Sequence, residues 1–146
     1  MLVFAGLVAV GESMVFAHKG AKGIVKQRMM AMKTMGDNMK ELSKMVTGKT
    51  AFDAGKAKTI AVAIKKHADD IPKQFPKGSM QKPTEALPVI WDRWDEFKGH
   101  ADDLAKLAGV LVQSADAGQT ASLATFAKMG KTCSGCHKDF RLKKEK

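Results

Sequence analysis

Cys133-Ser134-Gly135-Cys136-His137 lies close to the C-terminal end of the chain. Two thiols followed directly by an imidazole match the attachment sequence of c-type haem, in which each thiol bonds to a haem vinyl group and the His ligates iron. On a helix, Cys133, Cys136 and His137 stand at i, i+3 and i+4, on one face about a turn apart. That face can hold the macrocycle edge while the imidazole reaches the metal. Rival chemistries fit less well. A thioredoxin-like pair needs a preceding strand in a βαβ setting, and no strand-like alternation lies nearby. A structural zinc site needs four ligands, and these are the only two cysteines of the chain. The reading is one covalent haem c per chain, with its iron held by His137.

Something must position that motif, and the composition says it is helical. The 146 residues make one domain with room for one core. Tyr is absent, β-branched residues are sparse, and Ala, Met, Lys and Leu abound, which is helix-forming material. The net charge of +10 suits an acidic partner or an anionic surface. Nucleic acid is not expected, because the lysines are scattered along every segment rather than gathered on one basic helix with interleaved aromatics. Enzymatic turnover is not expected either. No paired carboxylates or nucleophile constellation stand outside the haem motif, so no catalytic residue is expected.

Residues 1–17 read as a secretory signal remnant. Leu2 to Val10 is an apolar run, and Val15-Phe16-Ala17 offers small residues where a signal peptidase reads. No Lys or Arg precedes Lys19, which implies an upstream start or an atypical signal. The apolar run is broken by Gly11 and Glu12 and is too short to span a membrane, so no stable membrane insertion is expected after its removal. Residues 18–146 then form the folded domain, exported to the periplasm.

The first helix is expected from about Gly23 to Val46. Val25, Arg28, Met32, Met35, Met39, Leu42 and Val46 step by three and four along one seam, and Gly48 is a plausible stop. Arg28 is out of place on such a seam, because an unpaired buried charge is costly. Either its stem packs while its head snorkels to water, or its fork meets a haem propionate; the second is preferred. A second helix follows Asp53 as N-cap and ends before Pro72. Residues 72–83, with three prolines, are expected to be a loop crossing one end of the bundle. A third helix is expected from Glu85 or Pro88 through Leu111. Asp116-Ala117-Gly118 makes a turn. The fourth helix, about Thr120 to Arg141, should bring Leu123, Phe126, Met129, Cys133, His137 and Phe140 to one side. His67 and His100 are not expected to be ligands.

Four amphipathic helices with these connections predict an all-α, antiparallel up-down-up-down four-helix bundle with covalently bound haem. The first and fourth helices are then antiparallel neighbours, which sets the end of the fourth level with the early part of the first. Of the ten methionines, Met32 lies on the seam near the level of His137 and is the candidate sixth iron ligand, with Met35 behind it. Met29 and Met30 are expected to face away. The plainer role of Met32 is to fill core space.

Cys133 to Arg141 (Cys-x-x-Cys-His-x-x-aromatic-Arg) together with Arg28 to Gly36 (Arg-x-x-x-Met-Lys-x-x-Gly) resembles the class II c-type cytochromes, the cytochrome c′ family. Phe52-Asp53-Ala54 and Ile90-Trp91 extend the resemblance, which runs from about His18 to Lys144. It implies a low-spin, c-556-type electron carrier if Met32 fills the distal iron position, the residue four after the Arg. The alternative is a high-spin cytochrome c′ that binds nitric oxide or carbon monoxide at a five-coordinate haem. It also implies that Arg28 contacts a propionate and that Arg141 lies close to His137. An acidic redox protein is the expected partner, and the chain itself is expected as monomer or homodimer.

Overall fold

The computed structural model describes residues 20–143, so the expected signal at residues 1–17 lies outside the described residues. Four helices carry the chain: α1 (Gly23–Val46), α2 (Ala54–Asp70), α3 (Trp94–Ser114) and α4 (Gln119–Phe140). Each packs on its two neighbours in the ring α1–α2–α3–α4–α1, the closed antiparallel bundle that the periodicity predicts.

The helix ends follow local chemistry. At the end of α1, Gly48 takes the left-handed φ of 75°, which lets the Lys49 N–H reach the Lys44 carbonyl at 2.8 Å. Asp53 caps α2, its Oδ1 accepting from the Lys56 N–H at 2.9 Å. Between α3 and α4, a 3₁₀ turn at Ala115–Ala117 and Gly118, with φ of 95°, reverse the chain where Asp116-Ala117-Gly118 signals a turn.

The third helix begins later than expected. Pro88–Ile90 is a separate 3₁₀ turn, and α3 starts at Trp94. Proline at a first helical position can open a helix. Here the Trp91 indole instead donates to the Phe75 carbonyl at 2.9 Å, and Arg93 leaves helical dihedrals (φ −116°, ψ 44°). The crossing segment is correspondingly longer than residues 72–83.

Alanine decides how closely the helices approach. Ala57, Ala61 and Ala68 of α2 and Ala101, Ala105 and Ala108 of α3 are buried. These small side chains draw α2 and α3 into the most intimate contact of the bundle. Leu42, Ile64, Leu111 and Met129 fill the centre, each at most 0% exposed. The fourth helix buries Met129 and Phe140 as expected and packs Phe126 against the core, but its first turns face inward one residue off the expected register. Leu123 is exposed, while Ser122, Thr125, Met129 and Phe140 are buried. The Ser122 hydroxyl donates to the Gly118 carbonyl at 3.0 Å, so a small polar side chain can occupy the inner face without an orphaned donor.

Candidate functional site

α1 meets α2 and α4 less intimately than α3 meets its neighbours, and the space left between α1 and α4 is a pair of adjoining cavities of about 390 and 220 Å³. Met32 and Gly36 from α1, Phe97 from α3, and Cys136 and His137 from α4 line both. The larger cavity reaches toward Arg28, Phe140 and Arg141, and the smaller runs down to Met39, Leu104 and Cys133. Together they fall in the roughly 300–1,000 Å³ range of ligand pockets.

The helix delivers the motif as its spacing predicts. α4 is unbroken through Cys133, Cys136 and His137, both thiols are free and half-buried, and His137 is exposed onto the cavity. Among the described residues, no hydrogen bond engages either ring nitrogen of His137. Burial pushes the Cys133 thiol up, slightly offset by a backbone hydrogen bond. Cys136 is pushed up to about 11 by burial, then by Cys133 and Asp139. The imidazole of His137 is pushed down by its surroundings and by the Arg141 charge, which the Glu85 carboxylate partly offsets. The site thus places two thiols and an imidazole on one face, and the shift at His137 is away from imidazolium, the form that cannot ligate a metal.

Gly36 lines both cavities. A Cβ built there meets nothing within 4 Å, so any longer side chain would project into the space that α1 leaves open. The lining also carries charge. Lys33 is paired with Asp37 and Arg141 with Glu85, which leaves the Arg28 charge in the lining for a group that brings its own carboxylates. The residues present therefore fit a haem.

Arg28 is 2% exposed and does not snorkel. Its Nη1 donates to the Ser79 hydroxyl at 2.9 Å and to the Gln74 carbonyl at 3.3 Å. Its Nη2 donates to the Ser79 carbonyl at 2.5 Å and to the Thr84 hydroxyl at 2.7 Å. The Phe75 ring lies 4.6 Å below the guanidinium carbon. Burial lowers its pKa, and no carboxylate among the described residues pairs with it. All four Nη hydrogens are committed to the crossing loop, which leaves Nε–H for a further acceptor. The expected contact with a propionate would use that Nε–H while the loop bonds stand.

Arg141 is likewise engaged. Its Nε donates to Glu85 Oε2 at 2.8 Å, and its Nη2 bonds the same oxygen. The same loop is sewn to the end of α4. Leu87 N–H donates to the Phe140 carbonyl at 2.9 Å and Leu142 N–H to the Glu85 carbonyl at 2.7 Å, about an isolated bridge between Ala86 and Arg141. Periodicity had no means of finding this strap, because residues 84–86 carry no repeat and meet the site only through the fold. Met29, expected to face away, also lines the larger cavity, whereas Met30 is exposed as expected. His100 borders the smaller cavity near Gly135. With Glu96 and Asp139 it forms a trio whose ligand atoms lie within 4.8 Å. Arg93 already claims both carboxylates, at 2.5 Å from Glu96 and 3.6 Å from Asp139, so that cluster is an ion-pair network at the α3–α4 junction.

A bundle of this topology with a Cys-x-x-Cys-His slot defines a class of haem proteins, and comparison with known proteins identifies the family. The family model described as Cytochrome C′ matches residues 23–141. A cytochrome c′ of Pararhodospirillum photometricum is 42% identical over 80% of this chain and 94% of its own length. A cytochrome c-556 of Agrobacterium tumefaciens (strain II Chrys) is 34% identical over 84% and 99%. A solved ferrous variant of cytochrome c prime from Alcaligenes xylosoxidans with bound NO superposes with TM-score 0.75 at 25% identity, covering 83% of this chain and 94% of its own. The chain belongs to the cytochrome c′ family of class II c-type cytochromes, whose members carry covalently attached haem c.

Proposed function

We propose that this chain is a periplasmic electron carrier with a six-coordinate, low-spin haem. Cys133 and Cys136 hold the macrocycle, His137 ligates the iron from α4, and Met32 ligates it from α1. The observation that carries the reading is that Met32 and His137, on different helices, line the same two cavities. A single flat group between α1 and α4 lies within reach of both.

The bound haem supplies a one-electron ferric–ferrous couple. The protein's residues do the rest. Each thiol adds its S–H across a vinyl double bond, sulfur to carbon and hydrogen to the neighbouring carbon, so attachment needs no oxidant. His137, whose pKa is lowered by its surroundings and by Arg141, would offer a nitrogen lone pair to the iron. Met32, as a thioether ligand beside His137, would raise the potential relative to two nitrogen donors, and the same two ligands in both oxidation states would keep reorganisation small. Arg28 places one remaining N–H and an uncompensated positive charge beside the slot, where a propionate supplies the missing anion; Arg141 flanks His137. Periplasmic location follows from the signal reading, since thioether attachment of haem takes place outside the bacterial cytoplasm in systems that resemble this one.

A high-spin cytochrome c′ that leaves the distal face open to nitric oxide or carbon monoxide is the second reading. It is favoured by the name of the 42% identical relative and by the NO-bound neighbour. Absorption spectra separate the two. The carrier reading expects low-spin bands in both oxidation states, unchanged by carbon monoxide, and a Met32→Ala variant that turns high-spin and binds it. A Met32→Ala spectrum identical to the parent overturns the ligand assignment.

A further inference from the structure

The charge of the molecule is polarised across the bundle. α1, with Lys22 at its N-cap, carries six cations against two carboxylates, and α4 carries three against one. α3 reverses the balance, with two lysines against four carboxylates. α2, with four lysines against two carboxylates, matches α4, so the sharpest contrast is between α1, beside the haem slot, and α3. Within α1 the excess has an address. Positions 22, 26, 33 and 40 recur at steps of four and seven, which places them in one stripe along the helix, and all four lysines are exposed. Lys33 lies on the rim of the larger cavity, together with Met29 and Gly36.

Most of the stripe differs from α2 and α3, where Lys66 alone has no ion-pair partner among the described residues. On α2 and α3, Lys65, Lys98 and Lys106 each hold an Asp of their own helix, at 2.8, 3.8 and 3.7 Å. On the α1 stripe only Lys33 is so held, by Asp37 at 2.6 Å. Lys22, Lys26 and Lys40 have no ion-pair partner among the described residues. An array of unpaired cations beside an open slot costs stability through mutual repulsion and contributes nothing to packing. It is complementary to carboxylates that arrive from outside.

We propose that the α1 lysine stripe is the docking surface for an acidic redox protein, which settles over the rim formed by Met29, Lys33 and Gly36 and so brings its own redox group to the haem slot. This inference rests on the electron-carrier reading. It also sets the orientation of encounter, because the acidic α3 side is repelled by the partner that α1 attracts. A second copy of this chain is disfavoured on the same face, where lysine would meet lysine.

The test uses the haem-loaded protein and a twelve-residue poly-glutamate peptide as the acidic probe. Backbone amide shifts on titration at low salt are expected to map to residues 22–40 and to vanish at high salt. In stopped flow, oxidation of the ferrous protein by anionic hexacyanoferrate is expected to slow as salt rises, and oxidation by a cationic cobalt complex to quicken. In K22E/K26E/K40E the hexacyanoferrate rate at low salt is expected to fall roughly tenfold or more, whereas K66E/K98E/K106E, of equal charge change, keeps most of the parent rate. Equal losses in both variants, or peptide shifts spread over α2 and α4, overturn the docking surface while a normal, CO-insensitive haem spectrum leaves the carrier reading standing. A CO-binding parent protein overturns the carrier reading, and the docking surface that rests on it. A concentration-dependent dimer that K22E/K26E/K40E disrupts would assign the stripe to a self-interface and overturn the proposal.

Discussion

At the scale of the residue, Arg28 shows how a charge is buried without an ionic partner. Three oxygens of residues 79 and 84, the Gln74 carbonyl and a phenyl face replace the water that the guanidinium gives up. Lys cannot reproduce that planar fork. Arg28→Lys is expected to destabilise the haem-loaded protein by about 2–3 kcal/mol, through hydroxyl and carbonyl groups left unpaired, read as a shifted midpoint in urea. A change within experimental error would show that the loop holds itself. Gly36 gives a second expectation: Gly36→Ala retains haem, while Gly36→Leu fills the slot and lowers the haem-to-protein absorbance ratio. Cys136 gives a third. Its folded pKa lies near 11 against an ordinary 9.0, so the folded chain keeps its proton where the unfolded chain loses it. Stability of the haem-free protein is therefore expected to fall as pH rises from about 9 to 11. The haem-loaded protein, whose sulfur no longer ionises, is expected to lack that loss in pH-dependent unfolding. The inward face of Arg28 was legible from its place on the Val25–Met32 seam. Its partners were not, since they stand 46 to 56 residues further along in a stretch with no periodicity.

At the scale of the element, sequence signals worked where one local interaction decides and failed where a distant one does. Asp53 caps α2 and Gly48 ends α1 as their residue types dictate. Pro88 does not start α3, because the Trp91 hydrogen bond to Phe75 holds the chain out of register until Trp94. Leu123 fell outside the core because hydropathy alone ranks it above Ser122, whereas the tight approach of neighbouring backbones prefers the smaller side chain. Asp53→Ala is expected to cost about 1 kcal/mol, seen as a lower urea midpoint with unchanged slope and an unchanged haem spectrum.

At the scale of the whole molecule, the alanine-lined α2–α3 contact is the most intimate of the bundle, while α1 packs Leu42, Met45 and Val46 into the core at its C-terminal end and borders the haem slot along the rest. Removing or never attaching haem, as in a Cys133→Ala/Cys136→Ala variant, is expected to lower hydrogen-exchange protection first and most in α1, with α2 and α3 keeping theirs. Uniform loss across all four helices would show that the bundle has no such hierarchy.

The seam between residues 85–87 and 140–142 carries a consequence for how the molecule is put together. Stitched to the final turn of α4 by main-chain bonds, that wall moves only if backbone pairs are broken on both strands at once. The opposite wall, α1, is held by side chains that slide. A porphyrin reaching Cys133 and Cys136 is therefore expected to meet least resistance on the α1 side, and α1 is expected to gain hydrogen-exchange protection last when the haem-loaded chain refolds.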